Sequence, residues 1–139
     1  MNLETISVER DGHVLVAIID NPRSPMNAVD AALHRDLAEL FEALKKEGEA
    51  RAVILTGSGR AFSAGGDMEW FPQLRDPARM HALRREAKQI IWNQLDVEIP
   101  IVCALNGPAA GLGASVAMLC DLIVMADSAV IVDPHVQVG

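Results

Sequence analysis

Two glycine-rich segments decide the fold of this chain: Asn106-Gly107-Pro108-Ala109-Ala110-Gly111-Leu112-Gly113-Ala114-Ser115 and Ala61-Phe62-Ser63-Ala64-Gly65-Gly66-Asp67. Each follows a short apolar run with strand character, and each leads toward a helical pattern. Such turns leave backbone N–H groups uncovered at the start of a helix. Two of them facing each other could hold one negatively charged oxygen, which is the geometry that stabilises an oxyanion or an enolate.

Strand and helix patterns alternate outward from these segments. The patterns predict strands over residues 6–9, 14–19, 52–56, 101–105, 122–126 and 130–132. They predict helices over residues 30–47, from Asp76-Pro77 to Pro100, and over residues 111–118. The second helix is expected to bury one apolar stripe: Met80, Leu83, Ala87, Ile90, Ile91 and Leu95. This alternation predicts an α/β fold with a mostly parallel sheet, because parallel strands need helical crossovers.

Length and composition indicate one globular domain over residues 1–139. Half of the residues are hydrophobic and 22% are charged, which is enough apolar material for a core. The formal net charge of −7 argues against broad nucleic-acid binding, because phosphate recognition needs a basic face. A small anionic ligand that is held by local groups remains compatible with this charge.

An uncharged stretch, residues 99–120, is long enough to span a membrane. Because Asn106-Gly107-Pro108 interrupts its middle, strand, turn and buried helix is the better interpretation. The N-terminal residues show no signal peptide pattern. Cys103 and Cys120 both lie in apolar sequence surroundings. They could form a disulfide or remain reduced thiols in the core of a cytosolic protein, and we favour the reduced thiols. We therefore expect a cytoplasmic protein with no membrane association.

The ordered set of motifs resembles the enoyl-CoA hydratase/isomerase (crotonase) superfamily. The motifs are Asn21-Pro22 through Asn27-Ala28, Val53 to Gly57, Ala61 to Asp67, Pro100-Ile101-Val102 with Asn106-Gly107, and Cys120-Asp121-Leu122. The resemblance implies a crotonase-like spiral of β-β-α turns that binds an acyl-CoA thioester, with coenzyme A as part of the substrate and no separate cofactor or metal. Family members are about twice as long, so the resemblance implies a fold that is incomplete at the C-terminus.

The resemblance also implies the parts of the site. The N–H groups of Gly66 and Leu112 would bind the thioester oxygen, with Gly111 at the turn before Leu112. A leucine side chain at this position is expected to narrow the acyl pocket. The segment from Ala64 through Gly65, Gly66 and Asp67 to Met68 would line the bound coenzyme A. Arg23 is a phosphate contact or a solvated loop arginine, and Asp67 is expected to cap the following helix.

The acid and base groups depart from the family pattern. Hydratases of the family place two glutamates at positions that match Ser115 and His135 here, and neither residue is a carboxylate. Histidine can act as a general base near neutral pH, and Asp133 lies two residues away. The alternatives are that His135 is an exposed loop residue and that Ser115 is a small residue that packs the helix.

Three functions remain open from the sequence. The first is an enoyl-CoA hydratase or isomerase that stabilises a thioester enolate. The second is a hydrolase on the same scaffold that uses His135 as base, with Ser115 as nucleophile or polar contact. The third is a catalytically inactive fragment that binds coenzyme A. The resemblance also implies a homo-oligomer, a trimer or hexamer, and an exposed sheet edge would favour association.

Overall fold

The computed structural model describes residues 2–138, in which strands and helices alternate. The end residues of the predicted domain, Met1 and Gly139, lie outside the described residues. The strands are β1 (Ile6–Asp11), β2 (Val14–Ile19), β3 (Ala52–Gly57), β4 (Ile101–Leu105), β5 (Ala109–Ala110), β6 (Leu122–Met125) and β7 (Ile131–Val132). The α-helices are α1 (Ala31–Leu44), α2 (Pro77–Leu95), α3 (Leu112–Met118) and α4 (His135–Val138), and Phe71–Arg75 form a 3-10 helix.

The main sheet has five strands in the order β1-β2-β3-β4-β6. The first two strands form an antiparallel hairpin, and Gly12 in its turn has a φ of 57°. All other pairs in this sheet are parallel, as are β5 and β7 in a small second sheet. The predicted α/β fold with a mostly parallel sheet is therefore confirmed.

Helix α1 covers the sheet with an apolar face. Asp30 caps its N-terminus, because its carboxylate accepts the Leu33 N–H at 2.9 Å. Leu33, Leu37 and Leu40 are almost fully buried, and α2 packs beside the helix. The predicted helix over residues 30–47 is confirmed, with Asp30 as the cap and an end at Leu44.

The predicted apolar stripe of α2 is correct for Ile90 and wrong for Leu95. Ile90 is fully buried, whereas 60% of Leu95 is exposed. The helix turns Ile90, Asn93 and Gln94 toward the protein, so Leu95 falls one step further round and faces solvent. The buried amides are satisfied in part: Asn93 donates to the Ala38 carbonyl of α1, and Gln94 donates to the Val116 carbonyl of α3.

The uncharged stretch over residues 99–120 contains β4, β5 and α3 rather than one helix. No helix within residues 2–138 is long and apolar enough to cross a membrane. Cys103 and Cys120 are both buried and free, so the preferred prediction of reduced core thiols is confirmed. Contact with Cys103, together with burial, raises the pKa of the Cys120 thiol.

Strand β6 forms one edge of the main sheet. All four of its residues are exposed, and the exposed fraction reaches 63% at Leu122 and 66% at Val124. Val130, Ile131 and Val132 are also exposed. The expected exposure of an apolar sheet edge is therefore present in the described part of the chain. The sequence did not predict β5, the 3-10 helix or α4.

Candidate functional site

The first glycine segment along the chain, Ala61 to Asp67, follows the end of β3 at Gly57. The second, Asn106 to Ser115, follows the end of β4 at Leu105. The Asn106 side chain accepts the Gly57 N–H at 3.1 Å and donates to the Gly59 carbonyl, which links the ends of β3 and β4. Ser63 then pairs with Ala109 in a parallel bridge, and the Ala110 N–H donates to the Ser63 carbonyl at 2.9 Å. The two glycine segments therefore lie side by side at the C-terminal ends of neighbouring parallel strands, where ligands bind in open α/β sheets.

Glycine is required where the two segments touch. Gly65 has a φ of 81°, and a Cβ at this position would lie 2.8 Å from the Ala110 carbonyl oxygen. A Cβ on Gly113 would lie 2.6 Å from the Ser63 Cβ. Any larger residue would push the segments apart, so these glycines set the separation of the two turns.

Asn27 anchors the start of the first glycine segment through hydrogen bonds. It is almost fully buried with a φ of 51°, and its side-chain amide donates to the carbonyls of Ser58 and Ala61. Its side-chain oxygen accepts the Asn21 N–H at 3.0 Å, and its own carbonyl accepts the Ser63 hydroxyl at 2.7 Å. One residue thus fixes both the loop that precedes α1 and the start of the glycine turn.

The N–H groups of Gly66 and Leu112 have no hydrogen-bond acceptor within residues 2–138. On either side of Gly66, the Gly65 carbonyl accepts the Val29 N–H and the Asp67 N–H donates to the Val29 carbonyl. Because successive backbone groups of an extended segment point to opposite sides, the Gly66 N–H points away from Val29. Leu112 is the first residue of α3, so its N–H has no intrahelical acceptor. The site therefore offers two free backbone donors.

Ser115 lies on α3 and is exposed, so the alternative that it packs the helix is wrong. Its hydroxyl donates to the Gly111 carbonyl at 3.2 Å, one turn earlier in the chain. This is the usual backbone contact of a helical serine. Within the described residues, the structure places no hydrogen bond between Ser115 and His135.

His135 opens α4 just after β7, which pairs with β5. The register sets Val132 beside Ala110, and the Gly111 N–H donates to the Val132 carbonyl at 3.3 Å. The chain that leads to His135 therefore runs next to the second glycine turn. His135 is exposed, so its predicted exposed position is confirmed, but it begins a helical turn rather than lying in a loop.

Asp133 contacts His135 in two ways. Its carboxylate meets the His135 Nδ1 and also accepts the His135 backbone N–H at 3.2 Å. The side-chain hydrogen bond from His135, followed by the backbone one, lowers the pKa of the Asp133 carboxyl. An ionised carboxylate on Nδ1 leaves Nε2 as the ring nitrogen that can meet a ligand.

The residues predicted to line coenzyme A have mixed positions. Ala64, Gly66 and Met68 are exposed, whereas Gly65 is buried against the second segment. The Asp67 carboxylate accepts the Glu69 N–H at 2.9 Å in the turn that precedes the 3-10 helix. The prediction that Asp67 caps the following helix is wrong, because the N-cap residue of the 3-10 helix is Trp70 and α2 is capped by Asp76.

Arg23 is exposed in the loop before α1 and already has acidic partners. Its Nε lies 2.7 Å from the Asp30 carboxylate, and a guanidinium nitrogen lies 3.8 Å from that of Glu4. A phosphate at this position would have to share the guanidinium with Asp30. Within residues 2–138, no three His, Cys, Asp or Glu side chains are grouped in a way that could hold a metal ion.

The sequence analysis named Asn27 and Asn106 only as parts of motifs and did not predict that their side chains hydrogen-bond the backbone of the glycine segments and strand ends. For Asn106 the available signal was a polar side chain between a strand end and a glycine, where carbonyl groups need donors. Asn27, between Met26 and Ala28, has no such local signal. Phe71, whose ring lies against Gly66, was also missed. No periodic pattern marks that residue.

Comparison with known proteins gives a consistent result. The family model described as Enoyl-CoA hydratase/isomerase matches residues 9–139. The "Probable enoyl-CoA hydratase" of Rhodobacter capsulatus is 34% identical, over 100% of this chain and 52% of its own length. The 4-chlorobenzoyl coenzyme A dehalogenase-2 of Arthrobacter sp is 33% identical, over 96% of this chain and 49% of its own length.

Solved structures agree with the sequence relatives. The crystal structure of an enoyl-CoA hydratase/isomerase from Mycobacterium paratuberculosis superposes with a TM-score of 0.93 at 40% identity. That match covers 100% of this chain and 56% of the solved chain. The present chain therefore spans about half the length of the relatives it matches.

Proposed function

The chain belongs to the enoyl-CoA hydratase/isomerase family, and we propose that it supplies the acyl-CoA thioester site of a hydratase or isomerase. The observation that carries this proposal is the pair of free backbone donors, Gly66 and Leu112, on two segments in direct contact. In this proposal both N–H groups donate to the thioester carbonyl oxygen. The names of the relatives, which include a hydratase and a coenzyme A dehalogenase, support a thioester ligand.

The chemistry needs these donors because negative charge builds on the carbonyl oxygen. Removal of a proton next to a thioester, or addition of water across a conjugated double bond, produces an enolate. Two fixed N–H groups stabilise that charge without reorganising, and loss of one such donor costs about 100- to 1000-fold in rate. In this proposal the close packing of Gly65 on Ala110 and of Gly113 on Ser63 holds the donors at a fixed separation.

We assign the proton transfer to His135. Asp133 holds its Nδ1, so Nε2 is free to take or give a proton. Ser115 serves as a polar contact, because its hydroxyl is bonded to the Gly111 carbonyl and meets no base. A two-glutamate hydration mechanism has no matching carboxylates at positions 115 and 135.

We assign coenzyme A itself to the segment from Ala64 to Met68, with Arg23 beside it. Exposed Ala64 and Met68 flank the Gly66 donor. The exposed Arg23 guanidinium would share its N–H groups between Asp30 and a phosphate. The comparison of Arg23→Met with Arg84→Met, an exposed arginine of α2, tests this assignment. A loss of coenzyme A affinity that is specific to Arg23→Met would support it, and equal affinities would remove it.

The same proposal includes a cytoplasmic location and self-association into a homo-oligomer. Two free buried cysteines suit a reducing compartment, where thiols stay unpaired. The exposed apolar edge at β6 supports association with further protein, in line with the expected homo-oligomer.

A hydrolase is the second candidate, and the His135–Asp133 pair favours it to the same degree. A comparison of crotonyl-CoA hydration with acyl-CoA hydrolysis separates the two activities. If His135→Ala retains full activity in both assays, the histidine has no catalytic role in either. Coenzyme A binding without any turnover would instead support the inactive fragment.

Proline at position 112 gives the sharpest test of the donor pair. Leu112 is the first residue of α3, where proline is tolerated, and its N–H has no acceptor to lose. We expect Leu112→Pro to lower crotonyl-CoA turnover by about 100- to 1000-fold. Leu112→Ala, which keeps the N–H and removes the side chain, is the matched control. Equal activity of the two variants, both folded, would reject the proposed role of this donor.

A further inference from the structure

The ring of Phe71 lies against the backbone of Gly66. A Cβ at position 66 would lie 2.6 Å from the Phe71 Cζ and 2.7 Å from Cε1. The ring is 41% exposed, so part of its surface remains open to a ligand. An apolar wall therefore stands directly beside one of the two free donors.

The chain next to this wall packs on the surrounding helices. Phe71 begins the 3-10 helix, and the preceding Trp70 packs on the His34 ring with their centroids 5.8 Å apart. His34 is buried on α1, and its Nδ1 lies 2.9 Å from the Glu86 carboxylate of α2. The residue before Phe71 is thus tied to α1 and, through His34, to α2, while the Phe71 ring itself lies against the glycine turn.

We infer that Phe71 limits the size of the acyl group that the site accepts. This inference rests on the proposed function, in which the thioester oxygen meets the Gly66 N–H. The carbonyl carbon then lies one bond from that oxygen, next to the Gly66 backbone on which the ring is packed. The ring has no hydrogen-bond donor or acceptor, so it suits the hydrocarbon of an acyl group rather than the amides of the pantetheine arm.

The size limit is tested by binding. The affinities of acetyl-CoA, octanoyl-CoA and free coenzyme A are measured by calorimetry for the wild-type chain, Phe71→Ala and Phe71→Leu. We expect Phe71→Ala to raise the octanoyl-to-acetyl affinity ratio about tenfold, as removal of a wall admits more methylene groups. Phe71→Leu gives a smaller rise, and free coenzyme A binds as before. Trp92→Ala, another exposed aromatic residue, leaves the ratio unchanged.

A second pair of variants tests the contact itself. The methyl group of Gly66→Ala would overlap the Phe71 ring, so this variant is expected to lose acetyl-CoA affinity. The double variant Gly66→Ala with Phe71→Ala removes the overlap and should recover the affinity of Phe71→Ala alone. Additive losses in this cycle would overturn the inference.

The outcomes separate the two proposals. Suppose that wild type binds the thioesters and that Phe71→Ala leaves the octanoyl-to-acetyl affinity ratio unchanged, or changes the affinity for free coenzyme A by the same factor. The size limit is then wrong and the proposed function stands. If wild type binds neither thioester, the proposed function fails and the size limit fails with it.

Discussion

Ser63 occupies the space that a side chain at position 113 would need, with its Cβ 2.6 Å and its carbonyl oxygen 2.7 Å from where that Cβ would lie. The first residues of α3 therefore rest directly on the first glycine segment. This contact joins the two halves of the candidate site.

Gly113→Ala should destabilise the fold and weaken thioester binding. Alanine is the better helix former by about 1 kcal/mol, but overlap with Ser63 forces a backbone shift. We expect a net loss of about 1–2 kcal/mol in the free energy of unfolding by urea, within the range of overpacked sites. Gly48→Ala is the control, because nothing lies within 4 Å of a Cβ there. Equal stability of both variants would show that α3 moves freely.

Asn27 should stabilise the folded state in two ways, through its side-chain hydrogen bonds and through its ability to adopt a left-handed backbone conformation. Asn27→Gly keeps the backbone conformation and loses the amide, which leaves buried carbonyls without donors at about 1–3 kcal/mol. Asn27→Ala adds strain, since its φ is 51°, so it should be the less stable variant in urea. An alanine variant at least as stable as the glycine variant would contradict this order.

Arg23 should stabilise the fold only when Asp30 is ionised. Burial raises the pKa of Asp30, but the hydrogen bonds from Arg23 and from the Leu33 N–H together lower it below its ordinary value of 3.8. A lowered pKa contributes stability above the ordinary value, and this contribution is lost as the pH falls through the folded-state pKa. Arg23→Met should therefore cost up to about 1 kcal/mol near neutral pH, and nothing in strong acid.

Urea unfolding at several pH values measures this effect, with Arg84→Met as the matched control. Arg84 is an exposed arginine of α2. A difference between wild type and Arg23→Met that persists, unchanged in size, below the folded-state pKa of Asp30 would contradict the assignment to Asp30.

Strand β6 should drive self-association of the chain. Its exposed apolar residues and free edge favour pairing with another strand, and a lysine on an edge strand opposes such pairing. We expect Val124→Lys to lower the mass measured by light scattering at high protein concentration. Val136→Lys, at a position that is 97% exposed on α4, should leave the mass unchanged. A wild-type chain that stays monomeric at all concentrations would reject this prediction.

The sequence predicted the main sheet well, because its signals are local. Strands such as β2 and β3 are short apolar runs that end at turn residues, and α1 has both a cap and a regular apolar spacing. Strand β5 has only two residues, and its partners, β7 and the bridge residue Ser63, are both distant in the sequence. Such a pairing leaves no periodicity, so it could not be predicted from the pattern alone.

The candidate site was predicted in part for the same reason. Glycines beside strand ends marked the two segments, and the family resemblance pointed to Gly66 and Leu112 within them. The missing acceptors of these two N–H groups depend on how the chain crosses Val29 and starts α3. The exposed position of Leu95 and the ring of Phe71 on Gly66 are tertiary outcomes. They follow from how α2 and the 3-10 helix pack against α1, which cannot be predicted from a local sequence pattern.

The two candidate donors are main-chain groups, and this has an evolutionary consequence. Almost every codon change at Gly66 or Leu112 retains the N–H, since proline alone lacks it. Substitutions therefore act on the donors through the position of the backbone, which depends on Gly65, Asn27 and Gly113 and on the fit of Gly66 against Phe71. At positions such as Ser115 and His135, by contrast, a substitution removes the polar group itself, so the two kinds of group differ in how readily a single substitution abolishes them.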